Sequence, residues 1–157
     1  MRVLFVCTGN YYRSRYAEVR LEHWSTAEGL SIAPFSIASF SRGLEIDVAQ
    51  KHNKGPMSPF AVERLEARGI DPSPWLWMPQ PLAESDLHAA DLTVVLDAKE
   101  HRPMMRAQFP AWLDRVRFWD VADGEPTVRR HPLAEVDVHL DRLIAELATY
   151  SAVPTVP

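Results

Sequence analysis

Arg2-Val3-Leu4-Phe5-Val6-Cys7-Thr8-Gly9-Asn10-Tyr11-Tyr12-Arg13-Ser14 is the stretch that decides the fold. Its first five residues are short, apolar and β-branched, which reads as a buried strand. Cys7 ends that strand. From about Ser14 the spacing of Tyr16, Ala17, Val19, Leu21 and Trp24 becomes helical, and the helix is expected to run to about Thr26 before Glu28-Gly29 breaks it. The order is strand, thiol, tight loop, arginine, helix. A loop of that length can converge its backbone N–H groups on one anion. The helix N-terminus adds unpaired N–H groups and a positive dipole end. Arg13 adds a planar fork that grips two phosphate oxygens. A positive field of this kind favours a thiolate, which is the nucleophilic form of cysteine.

Outward from this stretch, strands and helices alternate. Leu30 to Ser39 reads as a second strand, and Phe40 to Pro59 as a long loop marked by Gly43, Gly55, Pro56 and Pro59. Ser58 can cap a helix over Pro59–Arg68 that Gly69 stops. Ile70 to Pro81 is a proline-stiffened connection, and Asp86–Ala90 a short helical turn. Leu92–Leu96 is an apolar third strand, with Asp97 capping a helix from Ala98 toward Phe109. Val116–Trp119 is a fourth strand, and Leu133–Tyr150 a final amphipathic helix. The expectation is an α/β three-layer sandwich around a central four-stranded parallel sheet, formed as one domain over residues 1–157. Ligands of such folds bind beyond the carboxyl ends of the strands, where Cys7, Ser39, Asp97 and the segment after Trp119 lie.

Composition narrows the function classes. The chain has 157 residues, 46% of them hydrophobic, with a net charge of −4, so no general basic footprint for nucleic acid exists. No apolar run approaches the length of a membrane span. The first strand is too short for a signal-peptide core, so a cytoplasmic protein is expected. One cysteine excludes an internal disulfide and argues against a thiolate metal site. The histidines show no ligand-like spacing; His88, His101 and His131 are expected at surfaces and helix ends. No metal or cofactor is called for.

Cys7, five residues, Arg13 and then Ser14 form the signature of cysteine-dependent phosphatases. Placed after the first strand, with Ala17-Glu18 following, the signature resembles that of the low-molecular-weight protein tyrosine phosphatase family and its arsenate-reductase relatives. Ile37-Ala38-Ser39, Gly55–Gly69 and Ala90–Asp97 extend the resemblance over nearly the whole chain. The resemblance implies a flavodoxin-like, phosphatase I-like fold and phosphomonoester hydrolysis through a phosphocysteine. It implies Cys7 as nucleophile and Arg13 as phosphate clamp, with Thr8, Gly9, Asn10, Tyr11, Tyr12 and Ser14 completing the binding loop. Ser14 is expected to donate to the Cys7 sulfur, and Asn10, with positive φ, to stiffen the loop through Ser39. A general acid must protonate the leaving oxygen. The family takes it from an Asp-Pro pair after the fourth strand. Asp123 is the candidate here, with Gly124 in place of the proline; Asp120 is the runner-up and Glu125 third.

The chain also departs from the family. Tyr12 replaces a second cysteine, which removes any resolving disulfide and argues against thioredoxin-coupled arsenate reduction. Tyr11 and Tyr12 either narrow the pocket mouth or pack into the core. Arg15 replaces a proline and is expected near the mouth or in solvent. Phe40, Arg42, Leu44, His52 and Asn53 are expected on one pocket wall and Glu125 onward on the other. The expected substrate is a phosphorylated protein or small aryl phosphate, and the expected state a monomer or weak dimer. The competing readings are an arsenate reductase using an external thiol and a phosphate-binding pseudophosphatase.

Overall fold

The computed structural model describes residues 1–28 and 36–151. Four strands form one sheet in the order β2-β1-β3-β4: β1 (Arg2–Cys7), β2 (Ala38–Gly43), β3 (Leu92–Val95) and β4 (Arg117–Phe118). Every pairing is parallel. The helices are α1 (Arg13–Ala27), α2 (Ile46–Ala49), α3 (Pro59–Ala67), α4 (Glu84–Ala89), α5 (Ala98–Gln108) and α6 (Pro132–Ser151). Central strand β1 is covered on both faces, which is why it is apolar throughout. Val3, Phe5 and Cys7 meet α1, α3 and α6 in one core. Leu4 and Val6 meet Leu87 of α4 and Met105 of α5 in the other. The expected three-layer α/β sandwich with a four-stranded parallel sheet is therefore what the chain forms. The chain leaves β1 to one side for β2 and to the other for β3, so Cys7 ends the strand at the switch point of the sheet, where a crevice opens.

The second strand differs from the sequence expectation. It runs over Ala38–Gly43, so Phe40–Gly43 are strand rather than loop, and Leu30–Phe35 of the expected strand lie outside the described residues. β2 is an edge strand with half-exposed positions, and its serines engage polar neighbours rather than an apolar core, so the hydrophobic pattern that marks a buried strand is missing. Ile46–Ala49 add a short helix within the expected loop. Helix α3 starts at Pro59, but the Ser58 side chain makes no capping bond; its carbonyl accepts from Ala61 and Val62 instead. Gly69, at φ +73°, ends the helix as expected. Asp97 does cap α5, accepting from the Lys99 N–H at 3.0 Å.

Asp137 locks the α1–α3–α6 layer. Its carboxylate accepts from Tyr16 at 2.8 Å and Arg20 at 3.1 Å on α1, and from Arg64 at 2.7 Å on α3. Arg68, just past α3, adds a fourth donor at 2.6 Å.

Candidate functional site

The loop from Cys7 to Arg13 is held from outside by its carbonyls. Cys7 O accepts from Leu44 N at 3.0 Å, Thr8 O from Glu45 N at 2.9 Å, Tyr11 O from Ser58 N at 2.9 Å and Tyr12 O from Tyr16 N at 3.0 Å. The loop's own N–H groups take no part in these contacts. Those of Gly9 to Ser14 donate to no other described residue, as the opening turn of a helix and an anion nest require. Asn10 makes the turn at φ +49°. Close approach also demands glycine at two places. A Cβ on Gly9 would lie 2.7 Å from the Ala49 Cβ, and one on Gly43 would lie 2.9 Å from both Asn10 N and Thr8 O.

Asn10 is the hub that fixes the loop. Its amide donates to Ser41 Oγ at 2.7 Å and Ser14 Oγ at 3.2 Å, and its oxygen accepts from Gln80 N at 2.9 Å. The expected partner was Ser39. That hydroxyl instead donates to Glu18 O and to Glu22 on α1. Successive residues of a strand face opposite ways, and the register puts Ser41, two residues on, beside the loop. Ser41 Oγ donates in turn to Glu18 Oε2 at 2.5 Å. Ser14 Oγ lies 3.0 Å from Cys7 Sγ. Because Ser14 accepts from Asn10, its own proton is free to point at the sulfur.

Arg13 is 2% exposed. Its Nη1 donates to Glu100 Oε2 at 2.9 Å and Val121 O at 2.9 Å. Its Nε has no hydrogen-bond partner and lies 3.5 Å from Asp123 Oδ1. The guanidinium, which lines the crevice, is thus anchored through Nη1 and buried at Nε against Asp123. Burial opposes the charge on Arg13, but Cys7, Glu100 and Asp123 outweigh it and hold its pKa above the ordinary value. Glu100 was not anticipated from the sequence. It sits in the first turn of α5, where it also accepts from the Thr8 hydroxyl and lies 3.4 Å from His101 Nε2. Burial favours its neutral form, yet hydrogen bonds from His101, Arg13 and Thr8 hold its carboxyl far below the usual range. His101 is fully buried, not at a surface. Its Nδ1 accepts from Asp97 N at 3.0 Å, which places the ring proton on Nε2, 3.0 Å from Thr8 Oγ1. The signal available in the sequence was positional: Glu100 and His101 follow a strand that pairs with β1, so the sheet carries them to Cys7.

A cavity of about 460 Å³ opens above Cys7. Tyr11, Tyr12, His52, Asn53, Phe60 and the Asp123–Glu125 segment line it. Both loop tyrosines therefore line the pocket, and Tyr12 also packs against the α1–α3–α6 core. Tyr11 also donates to Lys54 O at 2.8 Å, and Tyr12 packs on Phe60. Burial, with Asp123 nearby, pushes the Tyr12 phenol up to about 12. Of the expected opposite wall, His52 and Asn53 belong to the cavity; Phe40, Arg42 and Leu44 do not. Phe40 lies between Arg2 and Arg42, Arg42 pairs with Asp86, and Leu44 is buried in the α4–α5 core. Asp120 forms an isolated bridge with Asp97 and does not line the cavity. Arg15 is neither at the mouth nor in solvent. It is fully buried, over the Trp77 ring, bonded to Trp75 O and paired with Glu18 at 3.4 Å.

A thiol at the switch point of a parallel α/β sheet, set in a tight loop beside a buried arginine, defines a class: an α/β protein with a cysteine-centred crevice. The model of the low molecular weight phosphotyrosine protein phosphatases matches residues 2–148, and the chain belongs to that family. It is accordingly a phosphatase-type hydrolase. A low molecular weight protein tyrosine phosphatase from T. tengcongensis is 30% identical, with a TM-score of 0.73 over 93% of this chain and 99% of that one. The protein-arginine-phosphatase of Bacillus subtilis (strain 168) is 29% identical over 116 residues, which is 74% of this chain and 68% of the relative. A thioredoxin-dependent arsenate reductase from Corynebacterium glutamicum shares the fold, at 22% identity and a TM-score of 0.63 over 95% of this chain and 62% of that one. Among the described residues no helix is long and apolar enough to cross a membrane, and no cluster of His, Cys, Asp and Glu could hold a metal ion.

Proposed function

We propose that this protein hydrolyses phosphotyrosine or aryl phosphate monoesters through a phosphocysteine on Cys7. The observation that carries the reading is that Cys7 lines the cavity at the end of β1, at the start of a loop whose Gly9–Ser14 N–H groups donate to no other described residue. The thiolate attacks phosphorus in line. The N–H groups of the Thr8–Ser14 loop and the Arg13 guanidinium hold the equatorial oxygens, whose charge grows in the transition state. Asp123 protonates the leaving oxygen, then takes a proton from the water that opens the phosphocysteine. Its side chain is 62% exposed at the rim, within reach of an entering ester. Ser14 stabilises the sulfur as it leaves. Glu100 holds Arg13 flat against the loop.

A second reading is hydrolysis of phosphorylated arginine. It is favoured by the arginine-phosphatase relative and by Glu125, which joins Asp123 on the rim and suits a cationic guanidinium leaving group. Measuring kcat/KM on matched phosphotyrosine and phosphoarginine peptides separates the two. Preference for phosphotyrosine supports the main reading; preference for phosphoarginine replaces it. Turnover of arsenate with a small thiol, and of neither peptide, would overturn both.

A further inference from the structure

Asp123 stands on a segment with little of its own to hold it. Val121 is fixed, since its N–H donates to Leu96 O at 2.9 Å and its carbonyl accepts from Arg13. From there to Thr127, no backbone–backbone hydrogen bond ties the segment among the described residues. Gly124 follows Asp123 at φ +137°, a conformation that L side chains rarely adopt, and it has no side chain to restrict it. One group spans this gap. Arg130 Nη1 donates to Asp123 O at 3.1 Å, and Nη2 donates to Ala122 O. The same guanidinium is fixed from behind by Glu135 of α6, with Nε–Oε1 and Nη2–Oε2 both at 2.9 Å. Arg130 is itself seated by a turn in which its N–H donates to Thr127 Oγ1 at 3.0 Å and its carbonyl accepts from Thr127 N at 2.7 Å.

We infer that Arg130 is the positioning residue of the Asp123 loop: tied to Glu135 on α6, it clamps the carbonyls of Ala122 and Asp123 and so holds the Asp123 carboxyl over the pocket. The inference rests on the reading of Asp123 as general acid. Three hydrogen bonds and an ion-pair contact converge on one planar fork, and a fork gives direction as well as attraction. Lysine offers one point charge and cannot bridge two carbonyls and a carboxylate in a plane. Arg130 is not among the residues that line the cavity, so its effect must pass through the placement of the acid. A misplaced acid harms a poor leaving group more than a good one, because the poor one depends more heavily on protonation.

The test uses the full chain and compares kcat/KM for phenyl phosphate, a poor leaving group, with that for para-nitrophenyl phosphate, a good one. Arg130→Met should lower the phenyl phosphate value by about 10–100-fold, the scale of a group displaced by an ångström. The para-nitrophenyl phosphate value should fall much less, and inhibition by inorganic phosphate should stay unchanged. Arg130→Lys should recover only a part, and Glu135→Gln should show the same leaving-group bias in weaker form. Added to Asp123→Asn, Arg130→Met should cost nothing more. If Asp123→Asn impairs phenyl phosphate turnover while Arg130→Met behaves as wild type, the clamp is refuted and the acid stands. If Asp123→Asn has no effect, the acid assignment fails and the clamp fails with it. Equal loss on both substrates with weaker phosphate inhibition would mark a general disruption, and would also overturn the positioning role.

Discussion

Glu18 should make the protein lose stability as pH rises through neutrality. Its carboxyl is buried between α1 and β2, where it accepts from Ser41 and pairs with Arg15 at 3.4 Å. Burial raises its pKa from 4.5 to about 7; Ser41, Arg15 and Arg42 pull the other way without prevailing, and Glu22 adds to the rise. Arg15 feels the same burial and falls to about 10. A carboxyl that binds its proton more tightly when folded adds stability fully present below its unfolded value, near pH 4.5. That stability is lost as pH climbs through the folded value, near 7. At about 1.4 kcal/mol per pH unit of difference, the loss approaches about 3 kcal/mol by pH 8. For a chain of this length that is roughly 6–12 °C in Tm. The assay is thermal or urea denaturation at intervals from pH 5 to 8, on wild type and Glu18→Gln. The variant keeps the shape but cannot titrate. The wild-type curve should fall relative to the variant by about 2–3 kcal/mol across that window. Two parallel curves would refute the reasoning, and would mean that Arg15 keeps Glu18 ionised throughout.

Other perturbations bear on the loop and its supports. Glu100→Gln removes the charge that anchors Arg13 Nη1; a hydrogen bond to a charged group contributes about 1.5–3 kcal/mol, so kcat/KM for an aryl phosphate should fall roughly 10–100-fold, read by steady-state kinetics. Gly43→Ala forces a Cβ against Asn10 N and Thr8 O, and should cost about 1–3 kcal/mol in denaturation while weakening inhibition by inorganic phosphate. Asp137→Ala strands three arginines between α1, α3 and α6, and should cost about 3 kcal/mol, less than a fully dry ion pair because the arginines are partly solvated. Asp137 is held below the usual carboxylate range despite burial, by Arg64, Tyr16 and Arg20, so its contribution should be lost as pH falls through the acid range and should be absent in the variant.

Much of this was legible in thirteen residues. An apolar β-branched run, a thiol, Gly9, Asn10, Arg13 and a helical repeat specify strand, nest and helix in one order, and strand–helix alternation extends that order to a parallel sheet. Local rules also found Asp97 as a cap and Gly69 as a stop, because each acts on its own neighbours. What escaped depends on contacts far apart in the chain. Ser39 and Ser41 are alike as residues; only strand register tells which one faces Asn10. Glu100 lies 87 residues from Arg13, and the β1–β3 pairing alone makes them neighbours. Arg15 looks like a surface charge until Trp77 and Glu18 enclose it. The anchor of Asp123 comes from Arg130, in a stretch with no motif at all.

The most direct test of the account is hydrolysis of para-nitrophenyl phosphate against pH, without added metal, for wild type, Cys7→Ser and Asp123→Asn. The account predicts wild-type turnover, none from Cys7→Ser although inorganic phosphate still binds it, and a loss of about 10²–10⁴-fold from Asp123→Asn. Turnover that survives in Cys7→Ser would contradict the central claim, and no turnover in a wild type that still binds phosphate would contradict it equally.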